Sequence, residues 1–260
     1  MLFRSRTATG AVHGVEALLR LRKDGVMLPT DLMIGAARTA GLMQRLTDFV
    51  LDQSFAAAAS MHREFPDLIM SVNVSPEDLS SGSLAERIVQ AAALHGVAPR
   101  LVCVEVTEEA LLDDPAEAAR TVERLRSLGF GVSMDDFGVG FSSLSNLRVL
   151  AVSELKIDRG FVSGLTRDMR TEALICAIAD LARRLGANVL LEGVETQEEF
   201  ELARSFGIDL VQGFVLSPAL PQAEVMEWIR QRSIPRPAVD DDGELIRRRA
   251  ISLSGASLAP

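Results

Sequence analysis

Residues 101–136 read LVCVEVTEEALLDDPAEAARTVERLRSLGFGVSMDD, and this stretch carries the plan of the whole chain. Leu101–Val106 is a short apolar run rich in β-branched residues and predicts a strand. Pro115–Leu128 predicts a helix, with Pro115 suited to its first turn and Gly129 standing just past its end. Phe130–Met134 predicts a second strand, ended by Asp135 and Asp136. Two strands joined by a helical crossover are expected to lie parallel in one sheet.

The alternation continues in both directions. Strands are expected at Val12–Leu21, Leu68–Val74, Val152–Ile157, Asn188–Leu191 and Asp209–Gln212. Between them fall helices at Pro29–Ala40, Leu42–Glu64, Ser83–His95, Asp168–Leu185, Gln197–Phe206 and Pro221–Arg230, with Gly96, Gly186 and Gly207 as further stop signals. After Arg230 the pattern ends. Prolines, an acidic cluster (Asp240, Asp241, Asp242, Glu244) and a basic run (Arg247, Arg248, Arg249) predict a flexible tail over residues 232–260. Residues 1–231 are expected to form one domain, and no repeat of fixed period is present.

A chain of 260 residues suits one large α/β barrel. Its hydrophobic fraction of 48% is ordinary for a globular protein. No apolar run is long enough to cross a bilayer, and the residues after Met1 have no secretory pattern, so a cytoplasmic location is expected. Cys103 and Cys176 lie in apolar surroundings without metal-type spacing and read as reduced, buried thiols. A net charge of −9 argues against a nucleic-acid polymer as partner. It does not argue against a small phosphodiester, provided that carboxylates first collect divalent cations.

The polar residues of interest share one position. Glu16, Asn73, Glu105, Asp135, Asp136, Lys156, Glu192 and Gln212 each sit at, or near, the carboxyl end of an expected strand. In a β/α barrel those ends converge on one face, where active sites are built. Any one of these residues alone reads as a solvated loop charge; their coincidence on separate strands changes that reading. Several carboxylates crowded with an Asn need compensation, and a divalent cation supplies it. With oxygen donors and no His or Cys nearby, Mg²⁺ or Mn²⁺ is favoured over zinc. The adjacent pair Asp135-Asp136 is a natural bridge between two cations, as two-metal phosphodiester hydrolysis requires.

These residues fall within an ordered series of motifs: Glu16-Ala17-Leu18-Leu19-Arg20, Val72-Asn73-Val74-Ser75-Pro76, Glu105-Val106-Thr107-Glu108, Asp135-Asp136-Phe137-Gly138, Leu155-Lys156-Ile157-Asp158, Glu192-Gly193-Val194-Glu195-Thr196 and Gln212-Gly213-Phe214. From about Thr9 to about Leu220 the series resembles the EAL domain family. The resemblance implies a modified (β/α)₈ barrel with one antiparallel strand, and hydrolysis of cyclic di-GMP to linear pGpG with two Mg²⁺ or Mn²⁺ ions, Ca²⁺ being inhibitory. By position, it implies that Glu16, Asn73, Glu105 and Asp135 bind the first metal, and that Asp135 bridges to a second held by Asp136 and, directly or through water, by Glu192. Lys156 resembles the lysine that contacts the attacking water, with Gln212 nearby to orient water or substrate. Leu18, Arg20 and Asp158 match nucleotide-contacting positions, and Glu108 matches an anchor for the loop after Asp136. The resemblance further implies a homodimer paired through residues 141–150, and an upstream regulatory domain in the native protein.

The chain departs from the family pattern in four places. Met1-Leu2-Phe3-Arg4 stands where the family's opening strand reads like Tyr-Gln-Pro-Ile, so that strand is expected to be degenerate or truncated. Val139 replaces a usual Thr, which trims at most one hydrogen bond, worth ~0.5–1.5 kcal/mol. Tyrosine is absent, and Phe141 and Phe214 fill the aromatic positions. Ser217-Pro218-Ala219-Leu220 lacks the usual basic residue before proline. The competing readings are a cyclic di-GMP receptor or scaffold of the same fold and, from the residues alone, a Schiff-base or metal-assisted lyase using Lys156.

Overall fold

The computed structural model describes residues 1–111, 114–138, 150–165 and 168–233. The expected dimer segment 141–150 lies, apart from Leu150, outside the described residues, as do Val139, Phe141 and the tail from 234 onward. Among the described residues the first strand is β1 (Leu2–Arg6), followed by β2 (Val12–Ala17) and a hairpin of β3 (Leu21–Lys23) and β4 (Val26–Leu28). Then come α1 (Thr30–Thr39), α2 (Met43–Met61), β5 (Ile69–Asn73), α3 (Pro76–Leu79) and α4 (Leu84–His95). Next are β6 (Val102–Thr107), α5 (Pro115–Ser127), β7 (Gly131–Phe137) and β8 (Glu154–Ile157). The described part ends with α6 (Met169–Leu185), β9 (Asn188–Leu191), α7 (Gln197–Ser205), β10 (Leu210–Gln212) and α8 (Gln222–Ser233).

Eight of these strands close into a barrel in the order β1-β10-β9-β8-β7-β6-β5-β2. β1 runs antiparallel to both of its neighbours, and the other pairings are parallel. The fold is therefore the modified α/β barrel with one antiparallel strand. Local chemistry sets the helix ends. Asp114 accepts the Glu117 N–H at the start of α5, with Pro115 in its first turn. Thr196 and Glu199 form a reciprocal capping box on α7, and Gly96 and Gly186 end α4 and α6 in the left-handed conformation.

The core lies between strands and helices. Val104, Val132, Leu155, Ile157, Val189 and Leu191 turn outward from the barrel and are at most 1% exposed, in one cluster with Leu51 and Phe55 of α2, Leu125 of α5 and Ile175 of α6. Burying each such side chain contributes roughly 1.5–3 kcal/mol. The lumen is the opposite. Because side chains alternate across a strand, the residues between the apolar ones face inward, and here many of them are polar.

Three expectations need correction. The opening strand is neither degenerate nor missing. Leu2–Arg6 pairs along its length with β2 and β10 and completes the barrel, with Phe3 stacked on Trp228 of α8 at 3.6 Å and Arg4 turned into the lumen. Phe3 and Arg4 turn to opposite faces of the strand, so the arginine is buried inside the barrel rather than in solvent. The strand expected over Val12–Leu21 ends at Ala17, and Leu21 belongs instead to a separate hairpin in which Asp24 and Gly25, both with positive φ (51° and 81°), turn Leu21–Lys23 back on Val26–Leu28. The strand expected to end at Met134 runs on to Phe137 through an irregularity in its pairing with β8.

Candidate active site

The carboxyl ends of β2, β5, β6, β7, β8 and β10 deliver Glu16, Asn73, Glu105, Asp135, Lys156 and Gln212 to one end of the barrel, and Glu192 follows β9 directly. Lys156 occupies the centre. Its side chain is 1% exposed, and Nζ lies 2.8 Å from Glu105 Oε2, 2.8 Å from Asp135 Oδ1, 2.7 Å from Glu192 Oε1 and 4.0 Å from Glu16 Oε2. Around it, Asn73 donates to Glu16 Oε1 at 2.8 Å and the Gln212 amide donates to Glu16 Oε2 at 2.6 Å.

Consecutive strand residues point to opposite faces, so Asp135 and Asp136 would ordinarily diverge. The pairing irregularity after Met134 and the left-handed backbone of Asp136 (φ 54°) prevent this. As a result, oxygens of Asp135, Asp136 and Glu192 all lie within 4.8 Å of one another. A non-glycine residue held in that conformation costs of order 1–3 kcal/mol and persists only where its surroundings enforce it. Strain of this kind is concentrated at functional sites, and here it brings two carboxylates together.

The crowding shows in the proton affinities. Burial, only partly offset by Lys156 and reinforced by Asp135, pushes the Glu192 carboxyl up to about 7. Burial and the Glu105 carboxylate raise Glu16, and burial and Asp135 raise Asp136. Glu105 goes the other way: burial opposes its charge, but Arg4 and Lys156 together hold it below the usual carboxylate range. Burial would lower Lys156, yet Glu105, Glu16 and Glu192 outweigh it and raise the ammonium well above its ordinary value. A Schiff-base lysine must be neutral to attack a carbonyl; this one is held as a cation.

Two cavities open onto these groups. One, of about 470 Å³, is lined by Glu16, Leu18, Arg20, Asp135, Lys156, Glu192 and Gln212 together with Arg159 and Phe214. The other, of about 560 Å³, includes Leu18, Arg20, Asn73, Asp135 and Asp136. Asp158 lines neither; its carboxylate accepts the Gly160 N–H at 2.7 Å and caps a 3-10 turn. Glu108 is buried at the start of the turn that follows β6. The sequence reading missed Arg4 and Glu154, both buried in the lumen below the ring, and Arg159 on the rim. Glu154 had a legible signal, since it lies two residues before Lys156 and so on the same face of β8.

The donor set suits hard divalent cations. Oxygens of Asp135, Asp136 and Glu192 already approach one another at ligand-to-ligand distances, Glu16, Asn73 and Glu105 stand beside them, and among the described residues no His or Cys lines either cavity.

The model of the EAL domain family matches residues 4–219. A cyclic di-GMP phosphodiesterase of Pseudomonas aeruginosa, NbdA, is 36% identical over 226 residues, which are 86% of this chain and 29% of that protein. A second cyclic di-GMP phosphodiesterase of the same organism, PA2567, is 33% identical over 86% of this chain and 38% of its own length. The chain thus spans roughly a third of these curated relatives. The solved PaMucR phosphodiesterase–c-di-GMP complex superposes with a TM-score of 0.80 at 31% identity, over 86% of this chain and 93% of that one.

Proposed function

This chain belongs to the EAL domain family, and on that premise we propose that it hydrolyses cyclic di-GMP to linear pGpG at the carboxyl end of its barrel. The observation that carries the reading is the convergence of Asp135, Asp136 and Glu192 oxygens within 4.8 Å, beside a buried Lys156. Five acids, Glu16, Glu105, Asp135, Asp136 and Glu192, outnumber the Lys156 ammonium and the Arg4 guanidinium, and divalent cations are suited to balance the excess negative charge. We assign Glu16, Asn73, Glu105 and Asp135 to one divalent ion, and Asp136 and Glu192, with Asp135 shared, to a second. Mg²⁺ or Mn²⁺ bound there would activate water as the nucleophile and neutralise charge developing on the phosphoryl oxygens.

The remaining residues bind and orient. The two adjoining cavities share Leu18, Arg20 and Asp135, a layout that suits a ligand with two nucleotide halves around paired phosphates. Arg20 and Arg159 place positive charge on the rim for those phosphates, and Phe214, 62% exposed there, offers a face for a base. The three N–H donors of Lys156 meet Glu105, Asp135 and Glu192, and a donor released when a cation takes one of these carboxylates would order water or meet the departing oxygen. Gln212, fixed against Glu16, limits where that water sits. Glu108, buried where β6 ends, is assigned to anchoring the loop after Asp136.

A cytoplasmic location is part of the proposal. Cys103 and Cys176 are unpaired, as in a reducing compartment, and no helix of the described residues is long and apolar enough to cross a membrane. A two-fold pairing of chains, and control by a further domain in the longer native protein, belong to the same reading. The test is incubation of the purified chain with cyclic di-GMP and Mg²⁺ or Mn²⁺, with products separated by chromatography. pGpG should form, cease in excess EDTA, and be scarce with Ca²⁺, whose looser coordination misplaces the water. Equal production in EDTA would overturn the metal reading, and binding without cleavage would make the chain a receptor.

A further inference from the structure

Arg4 is 1% exposed, the bulkiest fully buried side chain of the described residues, and each edge of its guanidinium meets a different strand. Nη1 donates to Glu154 Oε1 at 3.0 Å, Nη2 to Glu105 Oε1, and Nε to Gln212 Oε1 at 3.1 Å. A small residue, Ser133 on β7, stands beside this cluster where barrels of this type usually carry branched apolar ones, and it donates to the same Glu154 oxygen at 2.9 Å. Arg4 lines neither of the two cavities at the site.

What Arg4 does to its neighbours is specific. It takes Oε1 of Glu105 and leaves Oε2 facing Lys156 and the acidic cluster. By donating to Gln212 Oε1 it fixes that amide's orientation, so Nε2 is directed at Glu16, whose other oxygen accepts from Asn73. One guanidinium thereby sets the rotamer of Glu105 directly, and those of Glu16 and Asn73 through Gln212. We propose that Arg4 is a positioning residue for the metal site: it clamps Glu105 by one oxygen and orients Gln212 from below, presenting a preset donor array to the cations. This rests on the reading of the site as a metal centre. Side chains that hold ligands in this way typically account for 10–100-fold in metal affinity or activity.

Arg4→Met alone would leave Glu154 a buried carboxylate without its charge partner, whereas Glu105 keeps Lys156, and so would confuse positioning with folding. Arg4→Met combined with Glu154→Gln removes one charge of each sign, keeps an acceptor for Ser133, and leaves the lumen's net charge unchanged. In the full chain this double variant should melt within about 5 °C of the parent. By calorimetry it should bind Mg²⁺ or Mn²⁺ ~10–100-fold more weakly, with kcat down by a similar factor at saturating metal and KM for cyclic di-GMP within about threefold. Arg4→Lys, with the charge but not the planar fork, should also bind metal more weakly than the parent. Metal affinity within about threefold of the parent in the double variant would overturn the proposal. So would failure of that variant to fold, which would assign Arg4 to the barrel alone. A parent that binds metal but yields no pGpG would count against the proposed reaction and leave the Arg4 comparison readable on affinity. A parent that binds no metal would overturn both.

Discussion

Replacing Lys156 by Met keeps much of the side chain's bulk and deletes the charge that three carboxylates contact at 2.7–2.8 Å. At an effective dielectric of about 20, each such contact is worth roughly 6 kcal/mol before desolvation is subtracted. Desolvation removes most of that, and breaking a buried charge cluster by deleting one partner costs about 3–5 kcal/mol in practice. For a domain of this size one kcal/mol moves the melting temperature by ~2–4 °C, so Lys156→Met should melt about 6–20 °C below the parent in EDTA. Divalent cations should close much of that gap, because they restore the missing positive charge and no longer compete with an ammonium for the same oxygens. At about 100 times Kd one bound ion contributes about 2.7 kcal/mol. Turnover should nevertheless stay ~10²–10⁴-fold below the parent, since a cation that orders water is lost. Thermal denaturation with and without Mg²⁺, alongside chromatographic detection of pGpG, reads both effects. A variant that melts with the parent in EDTA would show that Lys156 is not the site's internal counter-ion, and near-normal turnover would remove it from the chemistry.

Two further perturbations probe the acids. Asp136→Gly supplies the residue best suited to φ 54° and should leave the melting temperature in EDTA unchanged or slightly raised, while weakening binding of one of two metal equivalents by calorimetry; equal loss of both equivalents would refute the division of ligands. Glu192, raised to about 7 from an ordinary 4.5, keeps a proton in the native ion-free state that the unfolded chain has already released between those values. Its contribution to stability is therefore full below about pH 4.5 and lost as pH rises through about 7. Metal must displace that proton, so calorimetry in buffers of different ionisation enthalpy should find about one proton released per site near pH 6 and almost none near pH 8. A count that does not change with pH would refute this.

The parallel part of the barrel was legible because each strand announces itself twice, by an apolar run and by a polar residue at its carboxyl end. Glu16, Glu105, Asp135, Lys156 and Gln212 were all found this way, and the structure brings them together. Leu2–Arg6 was not, because two of its five residues are arginines and a strand that carries charge looks solvent-facing when nothing indicates a polar lumen. Arg4 and Glu154 explain each other, but they lie 150 residues apart, and pairing over that separation leaves no local pattern. Asp135-Asp136 was legible as a pair of acids, whereas their convergence depends on a backbone irregularity and a positive φ that residue types do not encode.

The antiparallel strand also imposes an order on biosynthesis. β1 is the first of the eight barrel strands to be made, yet one of its two partners is β10, with Arg4 opposite Gln212. Until residues near 212 have left the ribosome, β1 can pair only with β2, and its other edge stays unpaired. The lumen remains open on that side, so Arg4 and the acids above it keep access to water. Barrel closure thus waits for the contact of nearly the longest range in the fold, and such contacts are the slowest to form and the most exposed to misassociation. Charge in the lumen helps during that interval, because a hydrated arginine on an open strand edge is a poor template for another chain. The residue that orders the finished site is, in the nascent chain, a guard on an edge that has not yet found its partner.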